Sequence, residues 1–330
     1  MRGSRTLVAL ATLALAAVVP AGGSRAAEPP SVVLVTYDCP LRPFLCPRFA
    51  QAARRTGTRA RIVSLDARQD PTATFMTLAR QGHDLVIGDV EMEPEVLAAA
   101  RRFPQIRFAV VDIALTDGTP GARQGNVTRV ELQIREAAYL AGWLAGRMER
   151  LRPGPDAVGA VGGFPIPPVD DFIVSYRAGA LRAAPRARVL TGYARSFTDP
   201  TACAALAERQ IAQGAGAVFD VAGGCGPGTL DAARGAGVWG VGVDLDRSGL
   251  GPHILTSVVK RHDRAFALLM RQARDGALTG RGIVMGLRRG GVELGRISPR
   301  VPRRVLRELA AVRRAVVRGA IRVPPAVPRP

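Results

Sequence analysis

From Ser31 onward, short apolar runs alternate with longer amphipathic stretches. Val32–Val35 is a continuous apolar run of the kind buried on both faces of a parallel sheet. Arg61–Leu65, Leu85–Ile87 and Arg107–Asp112 repeat it, and the spacing predicts helices over Phe49–Arg55, Thr72–Gln81 and Pro94–Arg102 between them. A second series follows: a helix over Arg129–Arg150, a strand over Ala157–Val161, a helix over Pro168–Leu181, a strand over Arg188–Gly192 and a helix over Pro200–Gln213. Three further strands close the pattern. One ends in the glycine-rich turn of Val218–Gly228, one in the carboxylates of Trp239–Asp246, and one in the lysine of Ile254–Lys260. Strands separated by helices of this length imply right-handed crossovers and parallel sheets. No long linker divides the series, so the expected architecture is α/β, with two doubly wound parallel-sheet lobes joined by a hinge and a ligand cleft between them.

The first residues do not belong to that pattern. Arg2 and Arg5, the apolar run Leu7–Val19 and the small-residue site Ser24-Arg25-Ala26 have the form of an export signal over residues 1–26. No cysteine follows closely, so no lipid anchor is expected, and the mature chain is expected in the periplasm. The lobes are expected to comprise residues 27–127 plus 255–285 and residues 128–254 plus 286–330.

Composition changes this picture little. Across 330 residues, 47% are hydrophobic and 22% charged, ordinary globular usage that excludes a largely disordered chain. The net charge of +19 would ordinarily raise nucleic acid as a partner. The basic residues are nearly all arginine and are scattered rather than grouped, and aromatic residues, at 5%, are too sparse for stacking platforms. No nucleic-acid partner and no cofactor are expected, and the chain reads as a monomer.

Export permits disulfides, and Cys39, Cys46, Cys203 and Cys225 allow three pairings. Cys39–Cys46 would close a Pro-rich loop, and Cys203–Cys225 would tie a helix start to the glycine turn. Zinc is the competing reading, but there is no CxxC spacing and the chain has only three histidines, so no metal is expected.

Candidate chemistry gathers at strand ends, where loops of an open α/β sheet converge on ligands. Asp112, Asp244 and Lys260 stand there, and Lys260 is the only lysine in an arginine-rich chain. A compact ammonium kept against that background points to a site that a planar guanidinium cannot fill. Gly223 and Gly224 match neither GxGxxG nor a Walker loop and read as places of close backbone approach, or as a tight turn. Asp244 and Asp246 have the alternative role of turn and cap residues, Phe197 that of a core residue. His83, His253 and His262 read as structural or surface residues, and Asn126 as a helix cap or a hinge residue.

Several of these residues lie in runs with a family resemblance. Asn126-Val127, Glu136–Gly146, Val158–Gly163, Phe172 with Ala178-Gly179, Ser196–Asp199, Gly242–Asp246, Leu255–Lys260, Gly286–Leu294 and Gly319–Pro324 together resemble the basic membrane protein family. These are substrate-binding proteins of ABC importers related to the bacterial purine nucleoside receptor. The resemblance covers roughly Leu85 to Pro324 and implies a type I periplasmic-binding fold that closes on a nucleoside or similar polar solute and docks on an inner-membrane ABC permease. It implies ligand contact by Asp112, Phe197, Asp244 and Lys260. Where family members carry an Asp followed by a short Ser-Phe-Asn run, this chain has Asp38 and then the loop Cys39–Phe49, in which Phe44 stands in for the usual ring and Arg42 adds a donor. A riboflavin-like or modified nucleoside is therefore an alternative ligand. A sensor presenting its ligand to a membrane signalling partner is the alternative role. A nucleoside hydrolase would need a carboxylate metal cluster or a Ser/His/Asp set, neither of which is visible, so no enzyme activity is expected.

Overall fold

The computed structural model describes residues 28–39, 44–66, 68–115, 125–154 and 156–325. The proposed export signal and Arg42 lie outside them. In chain order the first part runs β1 (Ser31–Tyr37), α1 (Cys46–Thr56), β2 (Arg59–Leu65), α2 (Pro71–Arg80), β3 (Leu85–Asp89), α3 (Glu93–Arg102), β4 (Phe108–Val111) and β5 (Val127–Leu132). The second runs α4 (Arg135–Glu149), β6 (Ala157–Gly162), α5 (Pro167–Ala183), β7 (Arg188–Tyr193), α6 (Pro200–Ala212), β8 (Ala217–Val221), α7 (Gly226–Gly235), β9 (Trp239–Asp244) and β10 (Ile254–Lys260). The chain closes with α8 (His262–Arg274), β11 (Ile283–Met285), β12 (Val292–Leu294) and α9 (Arg303–Val317).

Among the described residues two six-stranded sheets result, ordered β2-β1-β3-β4-β5-β11 and β7-β6-β8-β9-β10-β12. Their first five strands have the same order, that of a doubly wound fold with its switch point between the first and third strands. All pairings are parallel except that of β12, which runs antiparallel along β10 at the edge of the second sheet. The central strands are buried throughout, as their uninterrupted apolar runs require.

Three expectations change. Residues 129–132, expected to open a helix, belong to β5, because Val127-Thr128-Arg129-Val130-Glu131-Leu132 pairs along β4 and buries Arg129 against Glu93 at 2.7 Å. Both sheets also extend past the expected boundaries. β5 keeps the chain in the first sheet to Leu132, and β10 keeps it in the second to Lys260, hydrogen-bonded between β9 and β12. Asn126 is neither a cap of α4 nor a hinge residue; its buried side-chain amide donates to the carbonyls of Ala100, Phe103 and Ile106 and closes the end of α3.

Among the described residues the chain crosses between sheets three times, after β5, after β10 and between β11 and β12. These crossings are laced together: Gln133 N–H donates to the Met285 carbonyl at 3.3 Å, and Arg261 N–H to the Gly291 carbonyl at 2.8 Å. In the second lobe α4 and α5 pack backbone to backbone. A Cβ at Gly142 would collide with the Tyr176 carbonyl and one at Gly179 with the Tyr139 carbonyl, so only glycine permits this approach. At the start of α5, Pro167, Asp171 and Phe172 share a cavity lining with Leu132, Ile134 and Arg135 of the first crossing.

Candidate functional site

At the carboxyl ends of adjacent strands, the order of the second sheet sets Lys260 (β10), Asp244 (β9), the Gly223-Gly224 turn (after β8) and Gly163-Phe164 (after β6) in a row. Three strand spacings separate the ends of that row, roughly 14 Å. The first sheet contributes Asp112 after β4 and Asp38 after β1. Asp38, Asp112 and Asp244 all take left-handed backbone, at φ of 40°, 70° and 62°. Such conformations are uncommon outside glycine and cluster where a site demands them.

The two rows meet at Lys260. Its ammonium donates to Asp112 Oδ2 at 2.8 Å, lies 3.6 Å from Asp244 Oδ1, and sits 5.6 Å from the centre of the Phe172 ring on α5. Burial works against its charge, but Asp112 and then Asp244 hold the ammonium well above the ordinary lysine value. Burial likewise pushes the Asp112 carboxyl up, and Lys260, then His262, more than reverse this and hold it at about 2. His262 Nε2 is 3.3 Å from the same Asp112 oxygen, and its ring packs on Phe44 with centroids 5.6 Å apart. Asp244 Oδ1 is buried without a hydrogen-bond partner. Beside this group a cavity of about 100 Å³ opens between the lobes, lined by Asp112, Glu131 and Lys260 and by Pro167, Asp171 and Phe172 at the start of α5. Burial raises the Glu131 carboxyl, although Leu115 N–H donates to it at 3.2 Å.

At the far end of the row the surface turns aromatic. Phe164 and Phe197 are each 36% exposed, with centroids 5.2 Å apart. A Cβ at Gly163 would collide with the Phe197 ring, and the backbone of Gly224 lies against the Phe197 carbonyl. Ile166, in the same loop as Phe164, is exposed as well, and so is Val90 directly after β3 in the first sheet. Phe164, Ile166 and Phe197 lie at the switch point of the second sheet, where the strand order of doubly wound folds opens a ligand crevice.

The expected residues thus fall into two groups. Phe44, Asp112, Asp244 and Lys260 converge around one ion pair, joined by His262, whose sequence context points only to a structural or surface role. Phe197, Gly223 and Gly224 form the aromatic end, with Phe164 as an addition. Asp38 is exposed at the end of β1, its N–H donating to the Leu65 carbonyl. Cys39–Cys46 and Cys203–Cys225 are both disulfide-bonded, the second anchoring α6 to the turn that carries Gly223 and Gly224. No helix among the described residues is long and apolar enough to cross a membrane.

Known proteins resemble this chain in sequence and fold. The family model described as ABC transporter substrate-binding protein PnrA-like matches residues 51–325. The chain belongs to this family, Bmp. Among curated Bmp relatives, Basic membrane protein B of Borrelia garinii subsp. bavariensis is 30% identical over 204 residues, which is 60% of this chain and 58%, less than two thirds, of that protein. Transcriptional activator protein med of Bacillus subtilis is 27% identical over 225 residues, 67% of this chain and 66% of its own. An ABC transporter system solute-binding protein from Conexibacter woesei superposes with a TM-score of 0.71 at 24% identity, covering 91% of this chain and 100% of that one. The two share the two-lobed type I periplasmic-binding fold. Within this Bmp chain the family-like runs divide by role: Gly142 and Gly179 serve helix packing, while Phe197, Asp244 and Lys260 line the strand-end rim.

Proposed function

We propose that the protein is an exported solute-binding protein that closes its lobes on a nucleoside-like ligand and presents it to an ABC permease. The row of strand ends carries this reading, with an ammonium and two carboxylates at one end and an exposed aromatic pair at the other. A nucleoside has the same polarity. Its ribose hydroxyls are donors for Asp112 and Asp244, Lys260 donates to an acceptor, and the flat base lies on Phe197. The cavity of about 100 Å³ beside the ion pair is smaller than the roughly 300 Å³ at which small-molecule sites begin. The ligand therefore occupies the wider strand-end cleft, and its hydroxyls share Asp112 and Asp244 with Lys260.

A thermal-shift panel of nucleosides, free bases and flavins tests this. A ligand at about 100 times its Kd stabilises the fold by roughly 2.7 kcal/mol, and no shift across the panel would remove the nucleoside reading. A shift confined to flavins assigns the riboflavin-like alternative. Relationship to a protein named as a transcriptional activator supports a second role, in which the liganded form reports to a signalling partner. Ligand-dependent stimulation of the ATPase activity of the cognate permease in vesicles selects transport over that role.

A further inference from the structure

A second cavity lies elsewhere on the molecule. A groove of about 600 Å³ runs between α8 and β11 on the first lobe and shares no lining residue with the cavity at Lys260. Its rim is four arginines: Arg264 and Arg271 from one face of α8, Arg55 from the end of α1, and Arg289 after β11. Its floor is apolar, with Leu268 one turn along the same face of α8 and Ile283 on β11. The one carboxylate in the lining, Asp263, has a fully buried side chain already committed to Arg261, at 2.8 and 2.7 Å, and to Arg55 at 3.3 Å. Arg264 donates to the Gly290 carbonyl at 3.0 Å and stands 3.6 Å from Glu293, which is itself bonded to Arg261. Among the described residues neither Arg271 nor Arg289 forms an ion pair, and both are exposed.

Some arginines on this chain have an acidic partner, as in Arg147–Glu308 and Arg234–Asp231, and most stand apart from one another. Here four converge on an apolar floor, and the nearby carboxylates are already engaged. We infer that this groove docks an acidic polypeptide segment, which sets apolar side chains on Leu268 and Ile283 while its carboxylates pair with the guanidinium rim. Guanidinium forks match carboxylates in bidentate geometry, and the charges on the two surfaces are complementary. The surface lies outside the cleft and does not depend on which solute the cleft takes.

The probe is a fluorescein-labelled dodecapeptide of alternating Glu and Leu, titrated by anisotropy against the full chain at low and moderate salt. The groove variant is Arg271→Glu with Arg289→Glu, two exposed residues without ion pairs. The control is Arg303→Glu with Arg304→Glu, exposed on α9, which changes the net charge equally. Thermal melts of both confirm folding. Weakening on the order of tenfold in the groove variant, with the control within about twofold of wild type, supports the docking surface. Equal weakening in both variants, or none in either, overturns it. So does a groove dependence seen only with phosphatidylglycerol vesicles and not with the peptide, which would make the partner a lipid surface.

Discussion

Lys260 and Asp112 belong to different sheets, yet Nζ and Oδ2 stand 2.8 Å apart and join the lobes at the point where the chain crosses between them. The pair is both part of the proposed ligand site and a structural tie, and the two roles have separable signatures.

As a ligand donor, Lys260 is not replaceable by arginine, whose guanidinium is longer and planar. Lys260→Ala is expected to weaken ligand binding by about 1.5–3 kcal/mol, roughly ten- to a hundredfold, with Lys260→Arg recovering only part of this. Isothermal titration of both variants with the ligand found in the panel checks it. Wild-type affinity in both would withdraw Lys260 from the site.

As a tie, the pair shows itself in acid. A carboxyl held at about 2, below its unfolded value of 3.8, stabilises the fold above the unfolded value and loses that contribution as pH falls through about 2. The stabilisation is about 2 kcal/mol. Lys260→Met removes the main opposing charge, so its acid unfolding, followed by tryptophan fluorescence, is expected at higher pH than that of wild type. Coincident acid transitions would show that the pair adds no stability.

Asp220 behaves in the opposite sense. It is fully buried on β8, with Oδ1 accepting from Ala222 N–H at 3.0 Å and Oδ2 unpartnered. Burial pushes its carboxyl up to about 7, against the Ala222 bond and Arg247, and the charge of Asp244 adds to the rise. Below about pH 4 the group is protonated in both folded and unfolded chains and costs nothing; the penalty grows as pH rises and is full above about 7. Asp220→Asn is therefore expected to raise Tm by several degrees at pH 8 and to leave it unchanged near pH 4. A rise of the same size at both values would locate the effect in packing rather than charge.

The helix contact gives a prediction of a different kind. Glycine to alanine inside a helix ordinarily gains up to about 1 kcal/mol, but at Gly179 the added methyl meets the Tyr139 carbonyl. Gly179→Ala is expected to lose about 3 kcal/mol or more by forcing α4 and α5 apart. Urea unfolding measures the loss, and a neutral or stabilising result would mean that the pair relaxes freely.

The buried strands were legible because a strand covered on both faces must be apolar throughout, which leaves a run such as Leu85-Val86-Ile87 little else to be. β5 was not, because it buries Arg129 through an ion pair with Glu93 on a separate helix, a partnership with no local signature. α8 and α9 lie beyond the elements that the apolar pattern predicts. At the site, Asp112, Asp244 and Lys260 were readable as the polar residues that end apolar strands. Phe164 and His262 were not, since a single ring after two glycines and a histidine after an arginine acquire meaning only from what the fold sets beside them, Phe197 after β7 for the one and Asp112 and Phe44 for the other.

The three crossings, with Gln133 hydrogen-bonded to Met285 and Arg261 to Gly291, place the third chain between the other two. Three strands bonded side by side make a ribbon, which bends readily across its thin direction and resists shear and twist. Relative motion of the lobes is thereby expected to follow an opening angle rather than a shear or a twist. One distance across the rims, such as that between spin labels at Val90 and Phe164, tracks that angle.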